Sequence, residues 1–213
     1  LLEAVAASDP VGRGPGVRPD LDRGRRLGLQ VVEALGPVGD GTPVRTVHND
    51  AKLSNVRFDA GTGLATSVVD LDTTMAGYVQ YDVGELVRTT TTHAAEDSRD
   101  GAGVDFDLEL LEALSTGYFT PGPPLEPSEI DGLALAGPQM ALENALRFLT
   151  DHLAGDLYFT VDRPAQNLDR CRTHLRLTEL MLDSHAEVAS CFARAARRTR
   201  AAGPRPRGER GLR

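Results

Sequence analysis

The sequence predicts an α+β fold that is mainly helical, with one short β-hairpin beside a loop rich in functional groups. Three observations predict it. Apolar residues recur at helical spacing over residues 138–153 and 168–196, on faces wide enough to build a helical core. Two short apolar or β-branched runs flank Ala60-Gly61-Thr62-Gly63, the pattern of a hairpin around a glycine-containing loop. The chain has 213 residues, of which 40% are hydrophobic, enough to bury the core of one domain.

The elements follow in order. Residues 1–9 and 20–36 carry helical spacing, with Asp20 as the expected cap of the second helix and Gly36-Pro37 as its stop. Between them, Gly12-Arg13-Gly14-Pro15-Gly16 reads as a surface connection, because proline interrupts it and no β-run flanks it. The hairpin is expected over Val56–Asp59 and Leu64–Val69. Helices are expected over Asp82–Thr91 and Asp107–Thr116, separated by a polar, glycine-containing loop over residues 95–104. Pro121–Pro127 is a break, followed by the two longest helices at Pro138–Leu153 and Leu168–Ala196. From Arg194 onward arginine recurs with glycine and proline, a composition unable to form a packed element. The expected division is therefore a domain over residues 1–196 and a mobile, arginine-rich tail over 197–213.

The chemistry concentrates between Val47 and Asp72. Asp50 and Asn55 are separated by four residues, the interval at which a phosphoryl-transfer loop places its catalytic base and its amide metal ligand. Lys52, the only lysine in an arginine-rich chain, lies between them and is placed beside the transferred phosphate. The hairpin would return Asp70 to the side of Asn55, so that a carboxylate and an amide oxygen converge on one hard cation, Mg2+. Asp72 and His48 are further candidates; Asp72 reads equally as a strand-end cap, and His48 as a brace for the loop backbone.

Taken together, His48-x-Asp50-x-Lys52-x-x-Asn55, the hairpin and Val69-Asp70-Leu71-Asp72-Thr73-Thr74-Met75 resemble the aminoglycoside-phosphotransferase branch of the protein-kinase-like fold. Within it the chain resembles the N-acetylhexosamine 1-kinases. Tyr81-Asp82-Val83-Gly84-Glu85, Glu143-Asn144-Ala145-Leu146-Arg147 and Gly155-Asp156-Leu157-Tyr158-Phe159 extend the likeness. The resemblance implies a kinase-like C-terminal lobe that moves the γ-phosphate of ATP to a sugar hydroxyl, the anomeric one of an N-acetylhexosamine. It implies Asp50 as base, Asn55 and Asp70 on Mg2+, and Arg147 with Tyr158 on the acceptor. Read without the family, Arg147 would pair with Asp151 one turn on, and Tyr158 would be an ordinary half-buried aromatic. Asp82 and Arg88 are expected to cap and pair at the helix after the metal strand. No glycine-rich phosphate loop with a following lysine-bearing strand precedes Asp50. The expectation is thus a C-terminal lobe whose ATP-gripping N-terminal lobe is missing and would be its partner, leaving this stretch inactive alone.

Other classes fit less well. Asp70-Leu71-Asp72-Thr73-Thr74 also has the form of an Asp-x-Asp-x-Thr phosphatase, but no lysine follows Lys52 to balance an aspartyl-phosphate. A non-catalytic sugar-binding or scaffold lobe is the alternative from outside the enzymes. The net charge of −8 argues against a nucleic-acid partner, and no apolar run suits a membrane, so a cytoplasmic location is expected. Cys171 and Cys191 read as reduced thiols; a zinc site with His174 and His185 would need a break in the long helix that carries them.

Overall fold

The computed structural model describes residues 1–35, 42–120 and 124–202. The expected stop at Gly36-Pro37 lies outside the described residues, as does the part of the expected tail from residue 203 onward. Seven α-helices and four short strands are described: α1 Leu2–Ser8, α2 Arg18–Leu35, β1 Arg45–Val47, β2 Val56–Phe58, β3 Ala65–Val68, β4 Met75–Gly77, α3 Val79–Thr90, α4 Leu108–Phe119, α5 Pro127–Ala154, α6 Gln166–Asp183 and α7 His185–Ala202.

The central element is α5. Its C-terminal half closes one apolar cluster with α2 and α6, through Leu27, Val31, Leu149, Leu153 and Leu175. Its N-terminal half joins a second cluster with α3, α4 and α7, through Val83, Val87, Leu111, Leu133 and Phe192. Helix α5 begins at a reciprocal capping box between Glu126 and Glu129 and runs through Pro138, where the sequence had placed its start. The Pro138 signal misleads because tertiary packing overrides it: Gly137, just before, lets Val87 of α3 and Met181 of α6 press against the α5 backbone.

Three further expectations change. The long helix over 168–196 is two helices, because α6 ends at Ser184, whose conformation leaves the helical region. The break does not gather the cysteines and histidines, since Cys171 is buried in one apolar cluster and Cys191 in the other. Helix α7 runs on to Ala202; its last buried residues are Ala195 and Ala196, and residues 197 and 198 are exposed. Asp20 does not cap α2; it lies inside the helix, buried, and accepts two hydrogen bonds from Arg172 of α6 at 3.1 and 2.9 Å.

The strands form two antiparallel pairs. The expected hairpin is present as β2–β3, with Val56 opposite Val68 and an irregularity between Arg57 and Phe58. The pair β1–β4, with Val47 opposite Met75, was not expected, since three-residue strands leave almost no periodic signal. Together they fold residues 47–77 into a double loop resting on α3, held at Asp82 near its start and at Thr89 near its end. No helix among the described residues is long and apolar enough to cross a membrane.

Candidate active site

The loop after β1 carries the first group of candidate residues. Asp50 is half-buried, and its Oδ2 accepts hydrogen bonds from Lys52 Nζ at 2.7 Å and Asn55 Nδ2 at 3.0 Å. Asn55 is buried, and its Nδ2 also reaches the Asp50 carbonyl at 2.9 Å. The amide nitrogen of Asn55 is thereby committed to Asp50, which leaves its Oδ1 as the atom turned to other work.

The loop is held from three sides. Asp82, on α3, accepts the backbone N–H groups of His48 and Asn49, each at 2.8 Å. Thr73 donates to the His48 carbonyl at 2.7 Å, while Asn49 Nδ2 donates to the Thr73 carbonyl at 3.2 Å. Thr89 Oγ1 accepts the Leu53 N–H at 3.1 Å. The anchors allow Asn49 a left-handed backbone (φ 62°), a conformation that asparagine tolerates better than most residues. Asp82 therefore serves the loop backbone rather than capping α3, whose first residue has no side-chain cap.

His48 bridges the two halves. Its Nδ1 accepts the Asp50 N–H at 3.3 Å, and its Nε2 lies 3.0 Å from the Val69 carbonyl, an arrangement satisfied with the proton on Nε2. Val69 N–H in turn donates to the Asn55 carbonyl at 2.9 Å. These bonds and the β2–β3 register bring the end of β3 alongside Asn55. Asp70 follows in the left-handed region (φ 67°), solvent-exposed, and its carboxylate has no hydrogen-bond or ion-pair partner among the described residues. The same holds for Asp72. Carboxylate oxygens at Asp70 and the amide oxygen of Asn55, on backbone segments joined by the Val69–Asn55 hydrogen bond, are oxygen donors of the kind a hard divalent cation takes, so their chemistry fits Mg2+. No group of three or more His, Cys, Asp or Glu residues placed to hold a metal occurs among the described residues.

The second group lies at the other end of α5. Arg147 is exposed, with its guanidinium 6.0 Å from the Tyr158 ring centroid and 5.4 Å from that of Phe159. Tyr158 is 75% exposed rather than half-buried. Nor does Arg147 pair with Asp151, which is buried and occupied by the backbone of residues 157–159. No hydrogen bond, ion pair or ring contact joins the two groups among the described residues. They are linked through the helices: Glu85, one turn after Asp82, accepts from Asn144 Nδ2 at 3.1 Å, and Arg147 follows Asn144 by one turn of α5.

The surroundings argue against the phosphatase reading. Asp70 lies two residues past the end of β3, and all strand pairs among the described residues are antiparallel, without the parallel sheet such a nucleophile needs.

A model of the phosphotransferase enzyme family matches residues 6–124, which include His48, Asp50, Lys52, Asn55, Asp70 and Asp72. The chain belongs to the phosphotransferase enzyme family. Arg147 and Tyr158 lie beyond the matched stretch.

Sequence reasoning missed the supports rather than the chemical groups. Thr73 and Thr89 are ordinary threonines in sequence, and only the fold brings their hydroxyls to the loop. The ion pair of Arg45 with Glu129 at 2.5 Å, tying β1 to α5, joins residues far apart in the chain. Asp151 had a signal: an acidic residue just before a helix-ending Gly155 is available to the backbone that turns back over it.

Proposed function

We propose that this phosphotransferase moves the γ-phosphate of ATP to a sugar hydroxyl, the anomeric hydroxyl of an N-acetylhexosamine. The observation that carries the reading is the Asp50 carboxylate, held by Lys52 and Asn55 on a loop pinned at both ends, with one oxygen left for a substrate. In this reading Asp50 orients the acceptor hydroxyl and takes its proton as the hydroxyl oxygen attacks phosphorus. The bond from the γ-phosphorus to the bridging oxygen breaks, and ADP leaves. Lys52 steadies the transferred group. Asn55 and Asp70 would hold Mg2+, which when bound offsets the charge of the β- and γ-phosphates. The exposed apolar side chains of Leu53, Phe58, Val68, Leu71 and Met75 surround this pair, a surface suited to a nucleobase or to a nucleotide-binding segment.

Arg147 and Tyr158 take the acceptor. A guanidinium fork and a phenol, exposed together with a second ring behind them, can hydrogen-bond ring hydroxyls and an acyl oxygen while an aromatic face packs on the sugar. His48 positions the loop and leaves proton transfer to Asp50.

The test is calorimetric titration with N-acetylglucosamine and N-acetylgalactosamine, with and without Mg-ATP, followed by a phosphate-transfer assay on the same samples. Sugar binding that is lost in Arg147→Ala supports the acceptor assignment. Binding without transfer fits an acceptor lobe whose nucleotide-binding half is supplied by another segment. Binding of neither sugar would overturn the acceptor while leaving the family membership intact.

A further inference from the structure

The loop that presents Tyr158 has an unusual internal support. Helix α5 ends at Gly155 in the left-handed region (φ 103°), followed by Asp156, also left-handed (φ 61°). This double reversal turns the chain back over the last turn of the helix. There the buried Asp151 carboxylate receives three consecutive backbone N–H groups: Leu157 and Tyr158 on Oδ1 at 2.9 and 2.8 Å, and Phe159 on Oδ2 at 2.9 Å. Asn167 Nδ2, from α6, donates to the same Oδ2 at 2.9 Å and to Asp156 Oδ1 at 2.9 Å. Three successive N–H groups converging on one point form a small anion-binding concavity, and here the anion is the protein's own side chain. Charge-assisted bonds of this kind are short and directional, and the side chain is only 5% exposed, so little solvent competes for it.

The consequence falls on Tyr158. Its side chain is exposed, yet its own N–H and those on both sides are fixed, which sets where the phenol stands. Phe159 is then drawn onto Phe148 with ring centroids 4.5 Å apart, Tyr158 meets Phe159 edge-on at 4.8 Å, and Arg147 lies over both rings. Farther along, Arg163 clamps the loop to the Asp97 carbonyl at 2.9 Å. A loop tied only to serve stability would have no reason to leave its most exposed aromatic on the side facing Arg147, which has no ion-pair partner among the described residues.

We infer that Asp151 is a positioning residue for acceptor binding: through the N–H groups of residues 157–159 it pre-organises Tyr158 against Arg147, so that the sugar meets a formed ledge. The inference rests on the acceptor reading given above. It states that part of the acceptor affinity comes from a side chain that does not touch the sugar, because a pre-formed loop spares the ordering cost that binding would otherwise meet.

The test uses Asp151→Asn, which keeps shape but turns an amide N–H toward at least one of the four donors. Two quantities are read: amide hydrogen exchange in a peptide spanning residues 156–160, and the calorimetric affinity for N-acetylglucosamine. The expected result is slow exchange at 157–159 in the unaltered chain, exchange about tenfold or more faster in the variant, and sugar affinity reduced about tenfold. Faster exchange with unchanged sugar affinity would overturn the inference, provided Tyr158→Ala weakens binding. If the unaltered chain binds no sugar, or if neither Tyr158→Ala nor Arg147→Ala changes its affinity, the acceptor reading fails first and takes the inference with it. Should Asp151→Asn not fold, the unaltered chain decides alone: amides 157–159 must be protected and slowed further by saturating N-acetylglucosamine, and unprotected amides or no slowing overturn the proposal.

Discussion

Asp82 Oδ1 accepts the backbone N–H of Asn49 at 2.8 Å and thereby holds, at φ 62°, the residue immediately before the candidate base. Its other oxygen takes the His48 N–H, so one carboxylate fixes two successive peptide groups of the loop. Asp82→Ala would leave both donors without that acceptor, at about 1–3 kcal/mol for each that water does not reach. The expected outcome is a loss of about 2–4 kcal/mol in chemical denaturation, with transfer activity falling further than stability alone explains. A variant as active as the parent at a temperature where both are folded would remove Asp82 from the catalytic support.

Lys52 and Asp50 make opposite predictions about binding. The Lys52 ammonium lies 2.7 Å from Asp50 Oδ2. Asp50→Ala should reduce transfer by about 10²–10⁴-fold, the range for a lost general base, and leave sugar affinity nearly unchanged. Lys52→Ala should weaken Mg-ATP affinity as well as turnover, because it removes positive charge from where the phosphates are proposed to lie. Steady-state kinetics separate the two, and substantial turnover by Asp50→Ala would refute its role as base.

Much of this architecture could be read before folding, for reasons that differ by residue. Asp50, Lys52, Asn55 and Asp70 lie within one local stretch, so the loop spacing and the hairpin pattern sufficed to bring them together. The helices α3 and α4 were found within a few residues because apolar periodicity marks them, and Asp107 caps α4 through the Glu109 and Leu110 N–H groups. Asp20 misled because an acidic residue near a helix start is a good cap by type, and only the arrival of Arg172 from α6 draws it inside. Pro138 misled because a proline is usually a boundary. The buried Glu85–Arg88–His174 group was invisible for a related reason: Arg88 and His174 are 86 residues apart, and no local pattern announces a partner that distant.

His174 carries a pH dependence. It is fully buried between α3 and α6, with Nε2 accepting from Arg88 at 2.9 Å and Nδ1 donating to the Arg170 carbonyl at 2.8 Å. Burial, reinforced by the Arg88 and Arg170 charges, pushes its pKa down to about 3 from an ordinary 6.5; Glu96, 3.8 Å from Nε2, is half-exposed and does not reverse this. The unfolded chain therefore binds a proton below pH 6.5 that the folded chain refuses until about pH 3, and stability must fall as pH drops through that window. The slope from this one group approaches about 1.4 kcal/mol per pH unit. Denaturation of the parent and His174→Gln at pH 7, 6, 5 and 4 should show the parent losing ground relative to the variant at each step. A constant difference would mean that His174 takes up its proton in the fold as readily as in the unfolded chain.

Two glycines in helix interiors predict opposite signs for the same substitution. A Cβ at Gly84 of α3 would lie 2.4 Å from the Ala136 carbonyl oxygen and 2.4 Å from Met140 Cγ, so α3 and α5 cross backbone to backbone at that point. At Gly28 of α2 a Cβ would meet nothing within 4 Å. Gly28→Ala should thus stabilise by about 0.5–1 kcal/mol, through the smaller entropy of the unfolded chain and the better helix propensity. Gly84→Ala must push α3 away from α5, at a cost of about 1–3 kcal/mol or more for an overpacked contact. The displacement acts on the helix that carries Asp82 toward the catalytic loop and Glu85 toward Asn144. Gly84→Ala is accordingly expected to lower transfer activity as well as melting temperature, whereas Gly28→Ala raises the melting temperature and leaves transfer alone. Equal effects of the two substitutions on melting temperature would contradict the close α3–α5 crossing that relates the Asp50 loop to the Arg147 end of α5.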